Sequence, residues 1–79
     1  MPESQELALY VSWLGSIVQA AVERGGRVSR AHARLLEIRR HEGNQPLWQA
    51  AGALGDSGRA YLARLLAIED LLGTLPLED

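Results

Sequence analysis

The chain has no cysteine, no lysine and only two histidines among its 79 residues. Without cysteine there is neither a disulfide nor a thiolate nucleophile, which removes the staples on which small secreted domains depend. Two histidines without a thiol fall short of the four nitrogen or sulfur ligands of a structural zinc site. His32 and His41 also lack the i, i+4 spacing of a metal pair on a helix. Valine, isoleucine and threonine are sparse and never alternate with polar residues, which argues against strands. Long hydrophobic runs are missing too, because Ser12, Ser16 and Gln19 interrupt the stretch from Leu7 to Val22 and leave it too polar and too short to span a bilayer. The opening Pro2-Glu3-Ser4-Gln5-Glu6 is acidic where a secretory signal would be basic, so the expected compartment is the cytoplasm.

Apolar packing is therefore the expected source of stability. A content of 47% apolar and 23% charged residues is that of an ordinary globular chain, and the length suits one domain near the lower limit for a single core. The periodicity predicts an all-α fold, a compact bundle of four helices at about 4–24, 29–41, 46–54 and 58–72. In the first helix Leu7, Tyr10, Val11, Leu14, Ile17, Val18, Ala21 and Val22 make one apolar stripe, with Ser4 as cap and Gly25-Gly26 as terminator. Leu9 and Trp13 lie at the shoulder of that stripe, wider than a small monomer needs, and a homodimer burying the shoulder is expected. Ser29 caps the second helix, whose buried edge is expected to be Ala31, Leu35 and Ile38, and Gly43-Asn44 ends it. Pro46 starts the third helix, since its missing N–H has no helical partner at that position. Gly55-Asp56-Ser57 makes the next break and cap, short enough that helices three and four could form one kinked helix. The fourth helix buries Tyr61, Leu62, Leu65, Ile68 and Leu72, and Gly73 and Pro76 stop it. Leu75-Pro76-Leu77 is expected to fold back, leaving Glu78 and Asp79 in solvent.

Charge is unevenly distributed. Six of the eight arginines fall between Arg24 and Arg40, where Glu37 is the one acid, so this basic segment is hidden within a net charge of −2. On a helix from Ser29, the residues Arg30, Arg34, Glu37 and His41 share a face, while Arg39 and Arg40 point elsewhere and Arg27 precedes the helix. Such a run is either a solvated face or an anion-recognition patch, for which planar guanidinium groups are well suited. A helix-turn-helix frame with Ala21 and Gly25 has the right Ala-x3-Gly spacing, but puts Arg24, Gly26 and Arg34 at apolar positions. The ten residues from Val22 to Ala31 look like the first helix junction of winged-helix regulators. In that frame, however, the recognition helix, Leu47 to Leu54, contains no cation.

No residue pattern points to catalysis. The serines at 4, 12, 16, 29 and 57 serve as caps or sit on a polar helix face. Glu69 and Asp70 are adjacent and diverge by about 100° on a helix, so they cannot share a proton as a dyad. The Walker spacing and its lysine are missing, and no cofactor is expected. The sequence thus predicts a non-enzymatic protein–protein interaction module, an adaptor, inhibitor or assembly factor of the kind phages commonly encode. Arg27, Arg30, Arg34 and Arg39 would contact an acidic partner surface, with Trp13 or Trp48 as apolar anchor. The alternatives are nucleic acid bound by the same arginines, or a structural dimer whose arginines meet the acids of its second copy.

Overall fold

Glycine and serine set the limits of most of the helices. The computed structural model describes residues 2–78, with side chains from residue 5 onward, and forms four helices there: α1 Pro2–Glu23, α2 Arg30–Glu42, α3 Gln45–Gly52 and α4 Gly55–Leu72. The all-α, four-helix expectation holds. Gly25 and Gly26 close α1 at φ of 69° and 88°, a region where a side chain would be strained, and the Gly26 amide donates to the Ala21 carbonyl at 2.9 Å. The Ser29 hydroxyl accepts the His32 amide at 3.1 Å and caps α2, a contact worth about 1 kcal/mol. Pro46 stands in the first turn of α3, as its chemistry requires.

Two boundaries differ from expectation. The backbone of α1 is already helical at Pro2, so Ser4 lies inside the first turn; its side chain is outside the described residues. The break between α3 and α4 falls at Ala53 and Leu54, making two separate helices. Asp56 and Ser57 thus belong to the first turn of α4, where Asp56 meets the positive end of the helix and pairs with Arg59 at 2.6 Å. Gly58 allows the two helices to cross closely. A Cβ there would collide with the Ala51 carbonyl oxygen and come within 2.6 Å of the Leu54 Cβ.

The core draws on every helix. α3 packs against both α1 and α4, and its Leu47, Ala50 and Ala51 join Leu7, Tyr10, Leu14 and Ile17 of α1 and Leu62 of α4 in one core. Val22, Tyr61 and Ile68, expected in the core, are exposed instead. The tail folds back as expected: the Val28 amide donates to the Pro76 carbonyl at 3.0 Å, and the Glu78 amide donates to the Val28 carbonyl at 2.8 Å. Glu78 stays at the surface, its side chain 40% exposed, but its carboxylate pairs with Arg24 Nε at 2.9 Å; Asp79 lies outside the described residues.

The main departure concerns α2. Leu36 is its buried residue, while Ala31, Leu35 and Ile38, the expected buried edge, are exposed. The helix is rotated by roughly a third of a turn from the orientation that apolar periodicity favours. Its backbone also stands farther from the other helices than theirs do from one another, and side chains bridge the distance. The cause is electrostatic. Arg39 reaches the buried carboxylate of Glu69 on α4 at 3.0 Å, and Arg40 reaches Asp70 at 3.0 Å. The divergence of adjacent Glu69 and Asp70 lets each receive one of two adjacent arginines.

Candidate protein-binding groove

Turning α2 onto Leu36, Arg39 and Arg40 leaves its apolar edge facing a gap beside α1. Leu9, Tyr10 and Trp13 form one wall of that gap, Leu35 and Ile38 the other, and Pro46 and Leu47 the floor. The resulting groove has a volume of about 320 Å³ and is open to solvent. Leu9 is 64% exposed, Leu35 43% and Ile38 44%, so three aliphatic side chains present much of their surface to water at one place. A monomer rarely exposes a contiguous apolar patch without a use for it. Trp13 packs on Tyr10 with ring centroids 6.1 Å apart, a tilted pair that rests against the core while leaving part of the indole in the groove wall.

A buried polar cluster holds the groove open. Tyr10 donates its hydroxyl to Glu69 Oε1 at 2.7 Å, and Arg39 Nε donates to the same oxygen at 3.0 Å. The Arg39 guanidinium lies 5.4 Å from the centre of the Tyr10 ring and also donates to the Gly43 carbonyl at 2.8 Å and to Asn44 Oδ1. Burial, reinforced by the adjacent Glu69 carboxylate, raises the Tyr10 hydroxyl well above the usual phenol range. Tyr10 therefore remains a proton donor to Glu69, and the three groups fix the spacing of α1, α2 and α4.

The arginines predicted to act together are divided by the fold. Arg39 is a correction: its guanidinium is engaged inside the protein and is not part of an outward face. Arg24 and Arg40 are likewise paired, with Glu78 and Asp70. Arg27, Arg30 and Arg34 remain exposed. Among the described residues no carboxylate lies within 4.0 Å of Arg27 or Arg30, and Arg34 makes only a 3.9 Å contact with exposed Glu37. Arg34 is the i−4 neighbour of Ile38, and Arg30 of Arg34, so a cationic line runs beside the apolar edge of α2. At the opposite end, Glu6 and Glu42 flank the groove. Arg30 and Arg34 do not line the groove itself; they stand on α2 outside it.

Of the two tryptophans, Trp13 lines this groove and Trp48 does not; Trp48 is exposed on α3. Sequence reasoning identifies Leu9 and Trp13 as a shoulder but assigns Leu35 and Ile38 to the core. The informative signal is the match between the Arg39-Arg40 and Glu69-Asp70 doublets, thirty residues apart and each able to hold the other. A second overlooked signal is the Ala-x3-Gly spacing of Ala51 and Gly55, with Ala51 fully buried on α3 and Gly55 opening α4 at φ 78°. No family model, curated protein or solved structure matches the chain. Among the described residues, no helix is long and apolar enough to cross a membrane.

Proposed function

We propose that this protein is a non-enzymatic interaction module acting in the cytoplasm, an adaptor, inhibitor or assembly factor. Its groove between α1 and α2 receives an amphipathic helix of another protein. The observation that carries this reading is the exposed edge of Leu35 and Ile38 facing Leu9 and Trp13; the exposed Arg30 and Arg34 belong to the same helix. A bound helix would place its apolar stripe between the walls and acidic side chains over Arg30 and Arg34, where bidentate pairing with guanidinium fixes orientation. Covering what remains exposed of Leu9, Leu35 and Ile38 would contribute on the order of 1 kcal/mol each, so the rest of the affinity has to come from Trp13 and from the wider contact of the helix with the groove.

The test begins with capture from the native host by wild type, by Leu35→Glu and by the double variant Arg30→Glu, Arg34→Glu. The captured segment is then made as a peptide and titrated against Trp13 fluorescence in a Trp48→Phe background. The expected peptide becomes helical on binding, carries acids on one flank, and loses affinity for both variants. A segment without acids, or binding that survives Leu35→Glu, rules the reading out.

A second reading is nucleic acid held by the same arginines, Arg27, Arg30 and Arg34; the spacing of Ala51 and Gly55 and the close approach at Gly58 point instead to α4 as the helix that would enter a groove. On α4, however, Arg59 is paired with Asp56, leaving Arg64 as the one arginine of that helix without a carboxylate within 4.0 Å among the described residues. Binding dominated by phosphate contacts draws on several cations, which α4 does not offer, so the helix-turn-helix frame is the weaker form of this reading and Arg27, Arg30 and Arg34 would have to carry it. A shift assay with mixed DNA and RNA at low salt separates nucleic acid from a protein partner.

A further inference from the structure

Two carboxylates stand at one end of the α1/α2 groove. Tyr10 meets Arg39, and Trp13 shares the groove with Leu35, so residue numbers rise along α1 as they fall along α2. Glu6, four residues before Tyr10, and Glu42, three after Arg39, therefore both lie about one turn beyond that contact, in the same direction. Both line the groove and both are exposed. Among the described residues no cation lies within 4.0 Å of either carboxylate. Arg39, which also lines the groove, is committed to Glu69, Gly43 and Asn44. We propose that the helix received by this groove carries an arginine just beyond its apolar stripe, seated between Glu6 and Glu42. This rests on the helix-in-groove function proposed above and adds the chemistry of one end of the partner.

Helix stability accounts for one of these acids and not for the other. Glu6 lies close to the positive end of α1, where an acid is favourable. Glu42 is the last residue of α2, where unpaired carbonyls concentrate negative charge and a cation is preferred. The arginines of that turn do not neutralise it, because Arg39 and Arg40 reach across to Glu69 and Asp70 on α4. The end of α2, Glu42 and Glu6 thus sum to an uncompensated negative site at the end of an apolar groove. A metal ion does not suit it: two carboxylates are few for a hard cation, and among the described residues no group of three or more potential ligands gathers. A guanidinium does suit it, since its planar fork of donors can serve two carboxylates at once. Ile38 precedes Glu42 by one turn, and Leu9 follows Glu6 by three residues, so the arginine stands about one turn beyond the last apolar side chain of the bound helix. The apolar walls alone would accept a helix in either direction. The two carboxylates select one, with the cationic end beside them and the rest of the stripe toward Trp13 and Leu35.

The probe is a synthetic amphipathic peptide with glutamates in its first turn, leucines at i, i+3, i+4 and i+7, and an arginine one turn after the last leucine. It is titrated against Trp13 fluorescence in the Trp48→Phe background, beside two peptides in which glutamine or glutamate replaces the arginine. Glu6, Leu35 and Glu42 are exposed, and circular dichroism confirms that each variant is folded. The expected result is binding of the arginine peptide at least about five-fold tighter than that of the glutamine peptide. Glu6→Gln combined with Glu42→Gln should abolish that preference. Glu42→Arg should reverse it in favour of the glutamate peptide, an exchange that a merely structural role for the acids would not produce. Equal affinity for the arginine and glutamine peptides overturns the proposal; if Leu35→Glu still removes both, the groove keeps its function and only the arginine is lost from it. Binding that survives Leu35→Glu overturns the groove function and the proposal with it, and failure of every peptide to bind overturns the proposal. Sedimentation of the protein without peptide covers the remaining occupant: a dimer that Glu42→Arg dissociates would seat a second copy in the groove and overturn the assignment to another protein's helix.

Discussion

Arg39 Nε and Glu69 Oε1 lie 3.0 Å apart across thirty residues of sequence, and this contact helps determine which side of α2 faces solvent. The Glu69 side chain is only 3% exposed and must be paired, because an isolated buried carboxylate is far costlier than an exposed leucine. Once Arg39 supplies that pair, Leu36 turns inward and Leu35 and Ile38 turn outward. A stabilising requirement in the core thus leaves an apolar edge on the surface.

Removing one member of that pair should be worse than removing both. Arg39→Leu leaves Glu69 buried without its cation and is expected to cost about 3–5 kcal/mol, a large part of the ~5–15 kcal/mol that holds a small domain together. Combining Arg39→Leu with Glu69→Leu should restore most of that loss, since apolar residues of similar volume replace a buried ion pair at little net cost. Urea denaturation of the three variants measures this. A loss below about 1 kcal/mol for Arg39→Leu would show that the pair is not needed.

Alkaline pH should act through Tyr10. Burial first, and then the Glu69 carboxylate, raise its hydroxyl above the ordinary value of 10.0 in the folded protein. Below that value the hydroxyl is protonated in both states and its contribution is complete. Above it the unfolded chain ionises first, so stability falls as pH rises from about 10 toward the higher folded value. Tyr10→Phe removes the hydroxyl and should flatten this part of the profile while costing about 1 kcal/mol at neutral pH. Denaturation midpoints at about pH 8 and about pH 11 for the two proteins decide it, and identical slopes would exclude the mechanism.

Two glycines should respond in opposite directions to the same change. Gly15 is exposed within α1, and a Cβ there meets nothing within 4 Å, so Gly15→Ala should stabilise by about 0.5–1 kcal/mol through helix propensity. Gly58→Ala forces a methyl group against the Ala51 carbonyl and the Leu54 side chain, and should cost about 1–3 kcal/mol or prevent folding. Thermal unfolding of the pair is sufficient. A neutral Gly58→Ala would mean that α3 and α4 do not cross at that contact.

Most of the helical architecture was legible in the sequence because its signals are local. Gly25-Gly26, Ser29, Gly43 and Pro46 each act within a turn of their own position, and each does so in the structure. The folded-back tail was legible for a similar reason, since Pro76 cannot continue a helix. The orientation of α2 was not, because it depends on a pairing across thirty residues that no local pattern reveals. Tyr61 and Ile68 on α4 and Val22 on α1 were misplaced for a related reason: periodicity identifies an apolar stripe but not how much of it the fold has partners to cover. The candidate groove was therefore half visible, in Leu9 and Trp13, with its second wall assigned to the core.

Neighbouring leucines on α2 give the most direct test of that orientation. Leu36 is buried, and Leu36→Ala should cost about 2–5 kcal/mol through lost transfer energy and the cavity it leaves. Leu35 is 43% exposed and faces the groove, so Leu35→Ala should cost less than about 1 kcal/mol. Apolar periodicity alone predicts the reverse order, because Leu35 and Ile38 belong to its stripe and Leu36 does not. Chemical denaturation of the two variants distinguishes the alternatives without any knowledge of the partner. A larger loss at Leu35 would mean that α2 faces the core with Ala31, Leu35 and Ile38, and the groove with its exposed edge would not exist. The observed order would instead make Leu35 a binding residue in the strict sense: a side chain whose removal weakens capture of a partner helix while leaving the fold almost unchanged.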